Sequence, residues 1–186
     1  MTVADPRGRV IDAAIECFAR HGVEESTLAM VANAAGIHRV TLHRLFPGGR
    51  DELLVAVLDR SAERLIGRVR RAVVKAPTAA DAAVDGATVA VVEARRDPAV
   101  VRAVRSLEAQ RVVLSVAGTP LRAIVTEMWD LIVERADDAN SAVVTAGRDD
   151  LLVNHWVRVL MGLVANPVGV ETPAKVRRYL RTFVVP

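Results

Sequence analysis

The residues with the clearest capacity for chemistry lie in a basic segment near the N-terminus. Ser26 to Arg50 contains Arg39, Arg44 and Arg50 and no acidic residue, and Thr41 adds a hydroxyl. Guanidinium groups bind phosphate oxygens and guanine edges, and a hydroxyl serves several base partners. The segment therefore has the side chains to face nucleic acid. Its charge alone is equally typical of a solvated surface with a chance gap in acids.

The pattern around these side chains predicts two short helices joined by a tight turn. Ser26 or Thr27 can cap the first helix, Gly36 lies in the turn, and His38 opens the second helix. Glycine permits the positive φ that a reversal of the chain requires. The inward positions of the second helix are apolar: Leu42, Leu45 and Phe46. Such a pair is a helix-turn-helix, although similar pairs also occur as purely structural units.

The outward side of the second helix has the residue types of a DNA recognition helix. Arginine suits guanine edges, a hydroxyl suits several bases, and a small apolar group suits the thymine methyl. The residues on this side are Arg39, Val40, Thr41, His43 and Arg44.

The segment from about Arg9 to Leu58 resembles the N-terminal domain of the TetR family of transcriptional repressors, which covers roughly a quarter of the chain closely. The matching positions are Phe18, Gly22, Thr27, Val31-Ala32, Ala35-Gly36-Ile37, Thr41-Leu42, Phe46 and Asp51-Glu52-Leu53. The family usually has tyrosine where His43 stands and lysine where Arg50 stands. The link before Asp51 is one residue longer than the common form.

The resemblance implies an all-α homodimer that binds a palindromic operator in double-stranded DNA and a small-molecule effector in its second domain. Effector binding would respace the two recognition helices and release the DNA. The residues implied to contact bases are Arg39, Val40 and Thr41. Those implied to contact phosphates are Thr27, His43, Arg44 and Arg50.

The remaining chain divides into helix-length segments, which predicts a three-helix DNA-binding domain over 1–49 and a helical ligand-binding and dimerisation domain over 50–186. The segment Asp149 to Ala165 is apolar nearly all round, and a helix from Ala174 to Val184 follows it. A helix of that kind must bury two sides, which favours a partner subunit. The predicted dimer interface is Leu152, Trp156, Leu160, Leu163, Leu180 and Phe183.

The effector site is the least defined part of the sequence. Several apolar or mildly polar side chains of the second domain could line a cavity between helices: Gln110, Met128, Trp129, His155 and Met161. Core packing is the alternative interpretation of each. An unidentified, apolar small-molecule effector is expected, with no other cofactor.

Catalysis and metal binding find no support in the spacing of the four histidines and the single cysteine, Cys17. The sequence has no signal-peptide pattern and lacks the ~20 apolar residues of a membrane span, so we expect a cytoplasmic protein without a membrane partner. Residues 1–75 have 12 basic and 9 acidic side chains, so they hold the whole net charge of +3.

The alternative to a DNA-binding regulator is a dimeric helical small-molecule-binding or adaptor protein without sequence-specific DNA binding. The basic outward face of the second short helix argues against it, because Arg39, Thr41 and Arg44 serve no evident folding purpose there.

Overall fold

A computed structural model describes residues 5–115, 120–134 and 150–185. Within these ranges the regular structure is entirely α-helical, as the sequence predicts. The helices are α1 (Pro6–His21), α2 (Leu28–Ala34), α3 (Arg39–Leu45), α4 (Gly49–Lys75), α5 (Ala79–Ala94), α6 (Pro98–Arg105), α7 (Leu107–Ser115), α8 (Pro120–Val133), α9 (Asp150–Ala165) and α10 (Pro173–Phe183).

Helix ends follow from local side-chain chemistry. Asp97 caps α6 by accepting from two backbone amides, and Thr78 and Thr172 cap α5 and α10 through their hydroxyl oxygens. The helix α1 ends at Gly22, whose φ of 88° favours glycine. The helix predicted to open at Asp149 begins at Asp150 in the structure; residue 149 lies outside the described ranges.

Two clusters of buried apolar residues form the core. The first joins α1, α2, α3 and the start of α4, and it also includes Ala99 and Ala103 of α6 and Ala109 and Val112 of α7. The second gathers α5, α8, α9 and α10 against the end of α4. Because α4 is 27 residues long, about 40 Å, it contributes to both clusters.

The packing gives α6 and α7 contacts with the N-terminal helices, although the chain reaches them only after α5. A boundary between residues 49 and 50 falls at the first residues of α4, whose Leu53, Leu54 and Val57 belong to the N-terminal cluster. The domain division at that point stays a prediction. In the described ranges, no helix combines the length and the hydropathy needed to cross a membrane.

Candidate functional site

The turn between α2 and α3 has the geometry of a helix C-cap built on glycine. Gly36 has a φ of 66°. Its amide donates to the Asn33 carbonyl at 3.0 Å, and the Ile37 amide donates to the Ala32 carbonyl at 3.0 Å. These two hydrogen bonds are those of the Schellman motif, which ends a helix and fixes the direction in which the chain leaves it. The turn therefore sets the angle between α2 and α3.

The inner side of α3 is anchored in the N-terminal core. Leu42 and Phe46 are fully buried. The Arg7 guanidinium lies 4.2 Å from the centre of the Phe46 ring, donates to the Leu45 carbonyl and pairs with Glu52 at 3.0 Å. These contacts tie the end of α3 to α1 and α4, so that the opposite side of α3 is held in a fixed orientation.

The outer side of α3 presents the residues predicted to contact bases, together with His43 and Arg44, which are predicted to contact phosphates. Arg39, Val40, His43 and Arg44 are exposed, Val40 to 81%, and Thr41 is half-buried. An apolar side chain with that exposure contributes little to the core and is accessible to a partner. The Arg39 Nε lies 3.4 Å from the His43 Nε2, one turn along the same face. The structure thus brings these five residues onto one surface, the recognition face.

Thr27 lies at the N-terminus of α2 and is exposed. Its Oγ1 accepts a hydrogen bond from the Met30 amide at 3.2 Å. This arrangement uses the oxygen as an acceptor, so the hydroxyl proton is suited to donate to a phosphate oxygen. A helix N-terminus adds a favourable field for an anion. The phosphate assignment of Thr27 stays a prediction with a compatible geometry.

Arg50 occupies a different environment from the other predicted phosphate contacts. Its guanidinium donates to the carbonyl oxygens of Val23 and Ser26 and to Glu108, with 2.7 Å between the Arg50 Nε and the Glu108 Oε1. The side chain is three-quarters buried. These partners point the group into the protein, so the phosphate role of Arg50 stays a prediction that the geometry does not favour.

Sequence reasoning missed Glu108, because 58 residues separate it from Arg50 and no spacing rule joins them. A second contact supports the same junction. The Ser106 hydroxyl donates to Glu24 and lowers the pKa of that carboxyl group. The Ser106 oxygen also accepts from the Ala109 amide at 3.2 Å. The loop between α1 and α2 is therefore joined to the start of α7 at two points.

Residues 10–57 match the family model described as bacterial regulatory proteins, tetR family. The N-terminal domain of the chain is therefore similar to that of the TetR family. An uncharacterised HTH-type transcriptional regulator of Mycobacterium tuberculosis is 36% identical over 62 residues, which are 33% of each chain. The match thus spans about a third of the length of the curated relatives, and it falls on the part that the family model covers.

Solved structures of transcriptional regulators resemble the chain over nearly its whole length. The repressor AlkX from Dietzia sp., implicated in biodegradation of n-alkanes, is 22% identical with a TM-score of 0.65, covering 98% of this chain and 95% of that one. The regulator FadR from Bacillus subtilis, in complex with stearoyl-CoA, is 16% identical with a TM-score of 0.54, covering 95% and 98%. At these identities the likeness shows the fold.

Two apolar cavities lie beyond the TetR-family DNA-binding domain. The first, of about 90 Å³, lies between α4, α5, α6 and α9 and reaches Ala109 of α7. The second, of about 50 Å³, lies between α4, α5, α8 and α9. Of the predicted effector residues, Met161 lines the first cavity, and Met128 and Trp129 line the second.

The other two predicted effector residues lie apart from both cavities. The side-chain amide of Gln110 donates to the Val104 carbonyl at 2.7 Å and so joins α6 to α7. His155 is exposed, and its ring lies edge-on to Trp156 with 6.5 Å between the ring centres. Both placements explain these side chains without a ligand.

The predicted dimer residues divide between the core and the surface. Trp156, Leu163 and Leu180 are buried within the single chain, and Leu152 and Leu160 are half-buried. Phe183 is 72% exposed, and its ring lies 5.4 Å from that of Tyr179. A partner could reach the three buried side chains only if the core opened. The interface stays a prediction, and Phe183 is the member of the set that is placed to make it.

Proposed function

We propose that the protein is a ligand-responsive transcriptional regulator that binds a palindromic operator as a homodimer and acts as a repressor. One observation carries the proposal: the recognition face of α3 is exposed and basic, while Leu42 and Phe46 fix the opposite side in the core. Half to two-thirds of the hydrogen bonds between proteins and DNA go to phosphate and sugar oxygens of the DNA, and contacts with base edges supply the sequence specificity. Arg39, Val40 and Thr41 are assigned to bases, and Thr27, His43 and Arg44 to phosphates.

The effector is proposed to be a small apolar molecule in the two cavities. Their walls are formed almost wholly by aliphatic side chains, which favour a ligand that buries hydrocarbon. FadR from Bacillus subtilis, which shares the fold, is described in complex with stearoyl-CoA, a molecule with a long aliphatic chain. This likeness supports an effector with a large hydrocarbon part, and experiment must identify the molecule.

The dimer is proposed to form on the exposed apolar surface of α9 and α10. Leu151, Tyr179 and Phe183 are large apolar side chains that remain accessible there. A two-fold axis through this surface would set two recognition helices into successive major grooves, about 34 to 36 Å apart. A protein that acts on chromosomal DNA in this way works in the cytoplasm.

The test is fluorescence anisotropy of the purified protein on the DNA immediately upstream of its own gene, with a shuffled duplex as competitor and a series of salt concentrations. Specific binding should resist the competitor and fall steeply with salt, because phosphate contacts release counterions. Binding equal to that of shuffled DNA, here and in genome-wide site selection, would contradict the proposal and favour a ligand-binding or adaptor protein without DNA recognition.

A further inference from the structure

One of the residues that line the second cavity, Trp129, has a buried polar group without a hydrogen-bond partner among the described residues. Trp129 and Trp156 both line this cavity, with 6.1 Å between their ring centres, and the other described lining residues are aliphatic, methionine or glycine. Trp129 is 7% exposed, and its indole Nε1 is buried with no hydrogen-bond partner among the described residues. Buried tryptophan N–H groups usually have a partner, so this donor needs an explanation.

Water is a poor partner for this donor. The cavity, at about 50 Å³, is large enough for a water molecule. A buried water, however, needs two to four polar partners, and the side chains of the described lining offer two indole N–H groups and no oxygen acceptor. A ligand that supplies one acceptor and fills the rest with hydrocarbon satisfies the site better than water.

We propose that the effector is a mainly aliphatic molecule with a neutral oxygen acceptor, such as a ketone or ester carbonyl, which accepts a hydrogen bond from the Trp129 Nε1. The proposal rests on the proposed function and deepens it by naming the effector class. The aliphatic part extends into the first cavity, because Ala90 and Leu160 line both cavities. The Trp129 indole N–H would recognise the carbonyl oxygen of the effector, and the apolar cavity walls would bind its hydrocarbon part.

Charge distinguishes this effector from a fatty acid. Among the described residues that line the second cavity there is no lysine or arginine, so a carboxylate placed there would lose its hydration without gaining a cation from them. Arginines do lie near the first cavity, in a groove that includes Arg64, Arg68 and Arg96. There Glu93 pairs with both Arg68 and Arg96, which reduces the attraction of the groove for an anion.

The experiment is an NMR titration of the full-length protein, since the sequence has two tryptophans and therefore two indole N–H signals. The probes are 2-octanone, 1-octene and octanoate, which share a chain length and differ in the acceptor and its charge. The ketone should move the Trp129 indole proton downfield, as a new hydrogen bond does, and should bind roughly tenfold more tightly than the alkene. Octanoate should bind more weakly than the ketone.

Two variants separate the hydrogen bond from the shape of the cavity. Trp129→Phe keeps an aromatic ring but lacks the hydrogen-bond donor, so the ratio of the ketone affinity to the alkene affinity should fall to near one. Trp156→Phe changes the neighbouring ring of the same cavity and should keep the preference. The titration of the wild-type protein decides the question even if a variant fails to fold.

The proposal is overturned if 2-octanone fails to bind up to its solubility limit, if alkene and ketone bind equally, or if octanoate binds most tightly. The last result would point to the arginine groove instead. Operator binding, measured separately by anisotropy, tests the proposed function. The proposed effector class and the proposed function can therefore fail independently.

Discussion

The Arg50 guanidinium joins the first turn of α4 to the second residue of α7 through the Glu108 carboxylate, at 2.7 Å. The same guanidinium donates to the Ser26 carbonyl, directly before the Thr27 cap of α2. Ala109, next to Glu108, lines the first cavity. A single side chain therefore connects the wall of a cavity with the segment that positions the helix-turn-helix.

We expect Arg50→Gln and Glu108→Gln each to weaken operator binding, by roughly threefold to tenfold, because the start of α2 loses its support. The double variant should be little weaker than Arg50→Gln alone, since that variant already removes the interaction with Glu108; pairs in contact show coupling of about 0.5 to 3 kcal/mol. The measurement is a double-mutant cycle on the operator affinity at fixed salt.

Independent phosphate contact by Arg50 predicts the opposite pattern. Glu108→Gln would then release Arg50 and strengthen DNA binding, and Arg50→Gln would reduce the salt slope by about one unit. Arg20→Gln is the control, because Arg20 pairs with Glu16 on the exposed surface of α1. Exposed pairs contribute little, so the control should bind as the wild type does.

On the recognition face, Arg39→Ala should cost about 1 to 3 kcal/mol on the preferred operator and relax selectivity at one position of each half-site. Loss of a base contact should lower the affinity for the preferred operator more than the affinity for shuffled DNA. Arg71→Ala, on the exposed side of α4, removes the same charge far from α3 and should leave selectivity intact. Equal binding of the preferred site by Arg39→Ala would disprove the base-contact assignment.

Local patterns predicted the helix-turn-helix well because its determinants are close in sequence. Gly36 sets the turn through its own φ, and Leu42 and Phe46 take their inward positions from helical spacing alone. Helical periodicity and the punctuation by glycine and proline predict helices over about Arg7 to His21 and Arg50 to Lys75; in the structure Pro6 and Gly49 each open their helix one position earlier.

Long-range pairing was beyond the reach of the same reasoning. The Arg50 side chain has the charge of a phosphate ligand, but its partner Glu108 is 58 residues away. Trp156 has the apolar character of an interface residue, yet Trp129 of α8 packs beside it and buries it within the chain. An amphipathic sequence shows that the apolar side of a helix must be buried. Only the tertiary structure shows whether a helix of the same chain or a partner subunit buries it.

The proposed dimer surface can be tested at Phe183. Phe183→Glu places a charge on an exposed position, so the chain should keep its helical content while light scattering shows half of the dimer mass. Trp156→Asp should instead unfold the protein, because an unpaired charge in the core costs several kcal/mol. Leu107→Glu, at an 80% exposed position on α7, is the matched control and should remain dimeric. A dimer that survives Phe183→Glu would place the interface elsewhere.

Two helical glycines should respond to alanine in opposite directions. Alanine is favoured over glycine in a helix interior by about 1 kcal/mol. At Gly67 on the exposed side of α4, a Cβ would meet nothing closer than an Arg71 guanidinium nitrogen at 3.9 Å, so Gly67→Ala should stabilise the protein. At Gly86 of α5 a Cβ would lie 2.7 Å from the Val73 Cγ2. Val73 is fully buried and β-branched, hence stiff, and overpacking costs about 1 to 3 kcal/mol.

Gly86→Ala should therefore lower the free energy of unfolding by up to about 2 kcal/mol, even after the gain in helix propensity. Thermal denaturation followed by circular dichroism should show the melting temperature rising for Gly67→Ala and falling for Gly86→Ala. Since Gly86 also lines the second cavity, the added methyl group should weaken ligand binding there. A rise in melting temperature for both variants would mean that α4 and α5 separate readily, and that their close approach at Gly86 is not required for stability.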